Sequence, residues 1–480
     1  MSKIETTKFK KASKEAIKNS KLQNTLTSVM AHFDHARTES INEFGETNWN
    51  DLRERGKIIK THTIQNLDQY LSKFASNVRK NKSIIHFADN ASEVNNIVCE
   101  IVTTHKAQLI IKSKSMISEE TGLNNALSDI GIETVETDLG EYIIQLADET
   151  PFHIIAPAMH KTKDDVSKLF QEKLGSKKIL EIPKLANFAR KKLRNKFLKA
   201  DIGITGANFL VADTGTIVLV TNEGNGRMCT TLPKVHIAIA GMEKVIPSIN
   251  NLADFLHLLP RAATGQRLTS YVSLINGPKN SDSIEEPEER HVIIVDNGRS
   301  KLLADQQLRE ALNCIRCGAC LNICPVYKAV GGHSYGWVYP GPIGSIVTPV
   351  MVGLKKATDL PNASSLCGAC KDVCPVKINI PHMLLNLRSK IKEDPPKQNI
   401  SNWVEKFASE VFWQLMKNQT RLSIAHTIGK IIQFPFVRNN TISKIPFPIF
   451  STWTRTKNLM PIAKKSFHAL WESELKKIKQ

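Results

Sequence analysis

The sequence predicts an α/β domain on a largely parallel sheet, then a small helical module organised around cysteines, then a helical C-terminal segment. Three observations carry this expectation. Short apolar runs alternate with stretches of helical period between residues 67 and 296. Seven of the nine cysteines lie between Cys314 and Cys374. After Pro395-Pro396, Trp403, Phe407, Val411, Phe412 and Leu415 fall on one helical stripe. With 480 residues, 41% of them hydrophobic and 23% charged, the chain can bury more than one core, which excludes a mainly disordered protein.

Residues 1–66 are polar and read as a helical N-terminal arm; their lysine-rich opening has no apolar signal core. Apolar runs such as Ile217-Val218-Leu219-Val220 are too short to span a bilayer, so the expected address is the cytoplasm, with the inner face of the membrane as a peripheral contact. Residues 67–299 read as the α/β domain. Strands are expected at 84–88, 108–112, 153–156, 208–212, 216–221, 236–240, 271–275 and 291–296, and helices at 92–105, 119–129, 164–174 and 183–200. Residues 276–289, with Gly277-Pro278 and an acidic run, read as a surface loop. Residues 300–394 form the cysteine module, entered by a helix over 302–313 and left by one from Pro381. Its segment 331–344 is too rich in glycine and proline for regular structure and reads as a lid. Residues 395–480 form a basic helical segment whose tail sets Arg455, Lys457, Lys464, Lys465, Lys476, Lys477 and Lys479 among Trp453, Phe467 and Trp471.

The cysteine pattern points to metal. Cys314-Ile-Arg-Cys317-Gly-Ala-Cys320-Leu-Asn-Ile-Cys324-Pro325 is the C-x2-C-x2-C-x3-C-P run that wraps iron–sulfur cubanes. Cys367-Gly-Ala-Cys370-Lys-Asp-Val-Cys374-Pro375 repeats it with Ser364 in place of the first cysteine. The small Gly318-Ala319 and Gly368-Ala369 pairs let backbone N–H groups approach the sulfides. In such a doubled run the fourth cysteine is carried to the other cube, so cluster one takes Cys314, Cys317, Cys320 and Cys374, and cluster two takes Cys324, Cys367 and Cys370. The open corner of cluster two admits Ser364 oxygen, a water or hydroxide, or a missing iron; a labile four-iron cube is the favoured state. Zinc is the rival, but structural zinc sites use four ligands, not seven thiolates.

The residues also carry a resemblance. Lys114-Ser115-Met116-Ile117-Ser118-Glu119-Glu120, Glu136-Thr137-Asp138-Leu139-Gly140-Glu141, Pro157-Ala158-Met159-His160-Lys161, residues 206–213, Thr221-Asn222-Glu223-Gly224-Asn225-Gly226-Arg227 and the 332–344 loop all match one family. Over nearly its whole length the chain resembles the lactate utilization protein B family, the iron–sulfur subunits of three-protein L-lactate oxidation systems. The resemblance implies that the α/β domain is a LUD domain, related to the CoA-transferase and sugar-phosphate-isomerase type of fold. It also implies two [4Fe-4S] clusters, the serine at the eighth ligand position, LutA-like and LutC-like partner subunits, and relay of electrons while lactate becomes pyruvate.

No catalytic residue is expected in an electron carrier, and no G-x-G-x-x-G follows a strand, so the hydride acceptor lies elsewhere. The alternative is a self-sufficient enzyme whose LUD domain transforms a small acid or CoA ester, with Glu223 in a glycine-rich loop and Lys114 or His160 holding an anion. The same relay could instead serve another 2-hydroxy acid or glycerol phosphate. Pro157 between His153 and His160 speaks against a zinc site there. His86, His236 and His333 read as structural, and Cys99 and Cys229 as inert. The formal charge of +19 falls to about +16 once seven thiolates hold two oxidised cubes. A carrier of that sign suits an acidic redox partner or a membrane electron-chain acceptor. Nucleic acid is not expected, since no helix-turn-helix, finger or RNA-binding run is present.

Overall fold

The computed structural model describes residues 4–278, 287–393, 400–444, 454 and 457–475. The chain divides into two units, Met1–Asp394 and Pro395–Gln480.

The first unit is built on a sheet of six parallel strands in the order β1-β10-β7-β4-β2-β3. These are β1 (Ile84–Ala88), β2 (Leu109–Lys112), β3 (Glu133–Glu136), β4 (Ile202–Thr205), β7 (Val235–Gly241) and β10 (Glu289–Val295). The central strands are near-continuous apolar runs, as a sheet covered on both faces requires, whereas edge strand β1 leaves Ile84 and Phe87 exposed. A second sheet, β8-β5-β6-β9, is formed by β5 (Phe209–Val211), β6 (Thr216–Thr221), β8 (Val245–Ile246) and β9 (Tyr271–Ile275). Crossover helices start where the sequence supplies caps. Asn90 accepts the Glu93 N–H at the start of Ala91–Thr104, and Thr162 and Asp165 form a capping box on Lys163–Leu174.

The expected strand at 153–156 is absent. The His153 imidazole accepts the Ile155 N–H at 3.1 Å and donates to Asn322 at 3.1 Å, a local bond that competes with a ladder. The expected helix at 119–129 breaks at Gly122, whose φ of 68° separates Met116–Thr121 from Leu123–Asp129. The expected helix at 302–313 becomes Arg299–Ala304 and a 3-10 turn, Arg309–Asn313, because Asp305 leaves the helix and accepts the Gln307 N–H. The glycine- and proline-rich stretch is more regular than expected: from Gly341 it forms the buried helix Gly341–Val352, with Pro342 in the first turn where no N–H is needed. The acidic part of the expected 276–289 loop, residues 279–286, lies outside the described residues.

Helices Phe9–Lys18, Ser20–Phe44, Glu46–Gln65 and Leu67–Lys80 precede the sheet. They bury Leu26, Met30, Trp49, Leu52 and Phe74 in one continuous core that also contains Leu321, Tyr327, Ile343 and Leu384 of the cysteine module.

In the second unit, helices Ile400–Met416 and Gln419–Gln433 are joined through Asn418, which caps the latter by accepting the Thr420 and Arg421 N–H groups. Bridges Arg438↔Thr441 and Ile442↔Leu459 and a short helix, Phe467–Leu470, follow. On the expected stripe, Phe407 and Phe412 are exposed by 60% and 64%. The Trp403 side chain, Trp453, Arg455, Lys476, Lys477 and Lys479 lie outside the described residues. No helix among the described residues is long and apolar enough to cross a membrane.

Candidate metal centre

The two cysteine runs fold alike. Arg316 and Leu366, each one residue before a cysteine, have φ of 60° and 55°, and Gly318 and Gly368, each one residue after it, have φ of 76° and 86°. Both glycines open a short helix, Ala319–Ile323 and Ala369–Asp372, that carries the next cysteine. The left-handed steps turn the chain around a common centre at positions where glycine alone is free of strain. Backbone donors repeat too: the Ala319 N–H faces Cys317 as Ala369 faces Cys367, and Val326 faces Cys324 as Val376 faces Cys374. The Arg316 N–H donates to Cys314 Sγ at 3.4 Å, and the Leu366 N–H donates to Ser364 Oγ at 3.1 Å. Ser364 therefore occupies the place of a first cysteine in both spacing and backbone contact.

The thiols gather in two interleaved sets. Burial, then the charges of Cys374 and Cys314, push the Cys317 thiol up; burial and Cys314, Cys317 and Cys374 do the same to Cys320. These four line one cavity together with Pro375 and Ile343. Burial and then the Cys324 and Cys367 charges push Cys370 up to about 12. Cys320 and Cys370 also feel each other, so the sets adjoin. Cys367 alone of the seven is exposed.

Spacing bears on the choice between zinc and a larger core. Tetrahedral zinc with Zn–S of about 2.3 Å would hold its sulfurs roughly 3.8 Å apart. Among the described residues, the ligand-type groups whose donor atoms all fall within 4.8 Å are His105–Glu289–His291 and Glu149–His160–His333, neither containing a cysteine. Among the described residues no three of the thiols lie that close together, as suits the separate corners of a multi-iron core. In the second trio the Glu149 carboxylate already accepts from Lys161 and from His160, and His333 donates to the Thr150 carbonyl.

Cations surround the first set, most of them from outside the runs. Arg53 donates to the carbonyls of Cys374 at 3.0 Å and Asp372 at 2.6 Å, and Arg37 donates to the Val373 carbonyl at 3.3 Å, fixing the turn that delivers Cys374. Arg316 lies over the Tyr339 ring at 4.5 Å. Burial brings Lys60 down to about 8, and it donates to the Glu243 carbonyl. Behind them, Arg299 holds Glu120 at 2.9 Å and Glu243 at 2.6 Å, and the Tyr339 hydroxyl donates to Glu120 at 2.6 Å. Burial opposes ionisation of Glu243, but Arg299 and Arg316 outweigh it and hold the carboxyl at about 2. Arg37, Arg53 and Lys60 have no sequence signature; Glu120 ends one of the matching stretches noted above, and that was its only signal.

The other expected residues are placed as follows. Cys229 is buried, and burial pushes its thiol up to about 12; burial also raises Cys99. Burial lowers His153 to about 3 and His160 to about 4. His86 bonds His291, and His236 bonds Thr205. Glu223 is pushed up to about 7 by burial and Asp138, and its carboxylate accepts the Leu139 N–H.

A parallel α/β domain leading into two interleaved cysteine runs defines a LUD-domain iron–sulfur protein. Family models agree, with the LUD domain matching residues 71–295 and the 4Fe-4S dicluster domain matching residues 310–378. Lactate utilization protein B of Bacillus cytotoxicus is 42% identical over 99% of this chain and 98% of its own. Those of Shouchella clausii and Bacillus subtilis are each 41% identical, over 99% and 98% of this chain and 98% and 96% of their own. The chain belongs to the lactate utilization protein B family.

Proposed function

We propose that this protein is the electron-carrying subunit of an L-lactate-oxidising system. It receives single electrons from a partner dehydrogenase subunit and passes them to an acceptor while lactate becomes pyruvate. The partners are LutA-like and LutC-like subunits, and residues 67–299 and 300–394 act as the LUD and two-cluster modules. Cys314, Cys317, Cys320 and Cys374 hold one [4Fe-4S] cluster; Cys324, Cys367 and Cys370 hold the other, with Ser364 at its fourth corner. The carrying observation is the crossed grouping, in which Cys374 of the second run faces the thiols of the first.

When bound, a cube of this kind exchanges one electron at a time. The chain's own part is positioning and insulation. Buried thiols exclude water, backbone N–H groups of Ala319, Ala369, Val326 and Val376 donate toward the sulfurs, and Arg37 and Arg53 fix the Cys374 turn. Exposed Cys367 makes the second set the edge at which an external protein exchanges electrons. Membership of a family named for lactate utilization supports the substrate.

The test is anaerobic purification of the full chain. The expected result is about eight irons and eight sulfides per chain on the two-cubane rule, paramagnetic signals on reduction, and lactate oxidation only when the partner subunits are added. Turnover by the chain alone with both cysteine runs substituted contradicts the reading.

A further inference from the structure

The carboxyl ends of β2, β4 and β7 open onto a cavity of 410 Å³. That volume lies in the range of about 300–1,000 Å³ typical of cofactor- and drug-sized ligands, and a three-carbon acid would fill only a fraction of it. Its place is where the strand order reverses: from β2 the chain moves outward to β3, and from β4 it moves the other way through β7 to β10. Parallel α/β sheets bind ligands in the crevice outside the strand ends at such a point. Lys114 follows β2, Asn208 follows β4 and Lys244 follows β7; Arg316, Cys317 and Tyr339 of the cysteine module supply the opposite wall.

The charges on these walls are unevenly paired. Arg299 is taken up by Glu120 and Glu243. Lys114 donates to the Ile155 carbonyl and faces Asp138 and Glu223. Lys244 lines the cavity without a hydrogen bond among the described residues, and Arg316, 10% exposed, meets Glu243 through Nη2 at 3.7 Å but leaves Nη1 without a partner. A lysine without a hydrogen bond and a guanidinium with a donor to spare, in a partly desolvated space, favour an anion. Elsewhere the lining is mixed: Ile155, Leu219, Leu259 and Ala263 give it an apolar stretch, beside polar Ser113, Asn208, Thr221 and Gln266.

We propose that this cavity binds an organic anion of cofactor size, its carboxylate or phosphate against Lys244 and Arg316 and its apolar body toward Leu219 and Leu259. The occupant then lies beside Cys317, at the wall shared with the first thiol set. This placement rests on the relay reading only for its spectroscopic consequence; binding itself does not depend on it.

The experiment uses the anaerobically purified full chain with four probes: riboflavin 5′-phosphate against riboflavin, and 3-phenyllactate against its amide. Calorimetry and melting temperature report binding, and electron paramagnetic resonance reports the first cluster. At least one anion is expected to bind, to raise the melting temperature and to alter the first-cluster signal. Its uncharged analogue is expected to bind about tenfold or more weakly, the cost of one lost charged hydrogen bond. Lys244→Met is expected to weaken the anion by a similar factor at unchanged iron content, and Lys244→Arg to restore it. Preference for the flavin phosphate or for phenyllactate identifies the anionic group. The proposal is overturned if neither anion binds at millimolar concentration, or if charged and uncharged probes bind alike and ignore Lys244→Met. Loss of binding with both clusters present removes the cavity proposal alone, whereas missing clusters with intact anion binding remove the relay.

Discussion

Ser364 stands where the first run has Cys314. Its oxygen accepts the Leu366 N–H as the Cys314 sulfur accepts the Arg316 N–H in the first run, so the backbone there is already shaped for a thiolate. Ser364→Cys should complete the second ligand set, and iron loss in air, followed by bleaching of the visible absorption, should slow relative to wild type; equal or faster loss would mean that the corner is not at position 364. Arg299 is a second decisive residue, holding two carboxylates at 1% side-chain exposure. Arg299→Leu strands both and should cost about 3–5 kcal/mol in denaturant unfolding. Its partner Glu243 makes this pH-dependent. The carboxyl sits at about 2 against an ordinary 4.5, so its contribution is complete above pH 4.5 and is lost as pH falls through 2. The stability gap between wild type and Glu243→Gln should therefore be widest above pH 4.5 and close toward pH 2, as read by unfolding across that range.

Among the elements, those with a strong local pattern were legible. Strands at 84–88, 216–221 and 271–275 begin and end where apolar alternation meets turn residues, and the structure keeps those limits. β3 and β4 escaped because they are four residues long and, in Glu133-Thr134-Val135-Glu136, largely polar; burial against neighbouring strands makes them strands. Helix Gly341–Val352 was hidden by its glycines and prolines, which serve packing: a Cβ on Gly344 would stand 1.8 Å from the Tyr339 carbonyl oxygen. The cysteine runs were the clearest signal because their thiol positions are set by local spacing. Arg37, Arg53 and Lys60 were invisible for the opposite reason, since they reach those runs only through tertiary packing of helices some 250–340 residues earlier in the chain. The 331–344 segment is pinned to the α/β domain at Gly332, where a Cβ would meet the Phe152 carbonyl oxygen at 1.7 Å. Gly332→Ala should displace that segment and lower stability by about 2 kcal/mol or more, detected as a lower denaturant midpoint with faster cluster loss.

At the scale of the whole molecule, the excess of 65 Lys and Arg over 46 Asp and Glu exceeds the charge that two thiolate-held cubes would remove, and it favours an acidic partner over a basic one. Electron exchange with an acidic redox protein should slow as ionic strength rises from 10 mM to 150 mM, where the screening length shrinks from about 30 Å to about 8 Å; stopped-flow absorbance would follow it. The order of modules was readable from the chain, from LUD domain through dicluster domain to a helical end, because each has its own periodicity or ligand spacing. The cavity between sheet and cysteine module was not, since Lys114, Lys244 and Arg316 meet only after folding. If ligands cross between the two runs as proposed, Cys374→Ala removes one from the first cluster although Cys374 lies in the second run. Electron paramagnetic resonance of the reduced variant, prepared without oxygen, should show the loss of the same cluster signal that is lost in Cys317→Ala. Retention of that signal, with loss of the signal that depends on Cys367, would contradict the crossing.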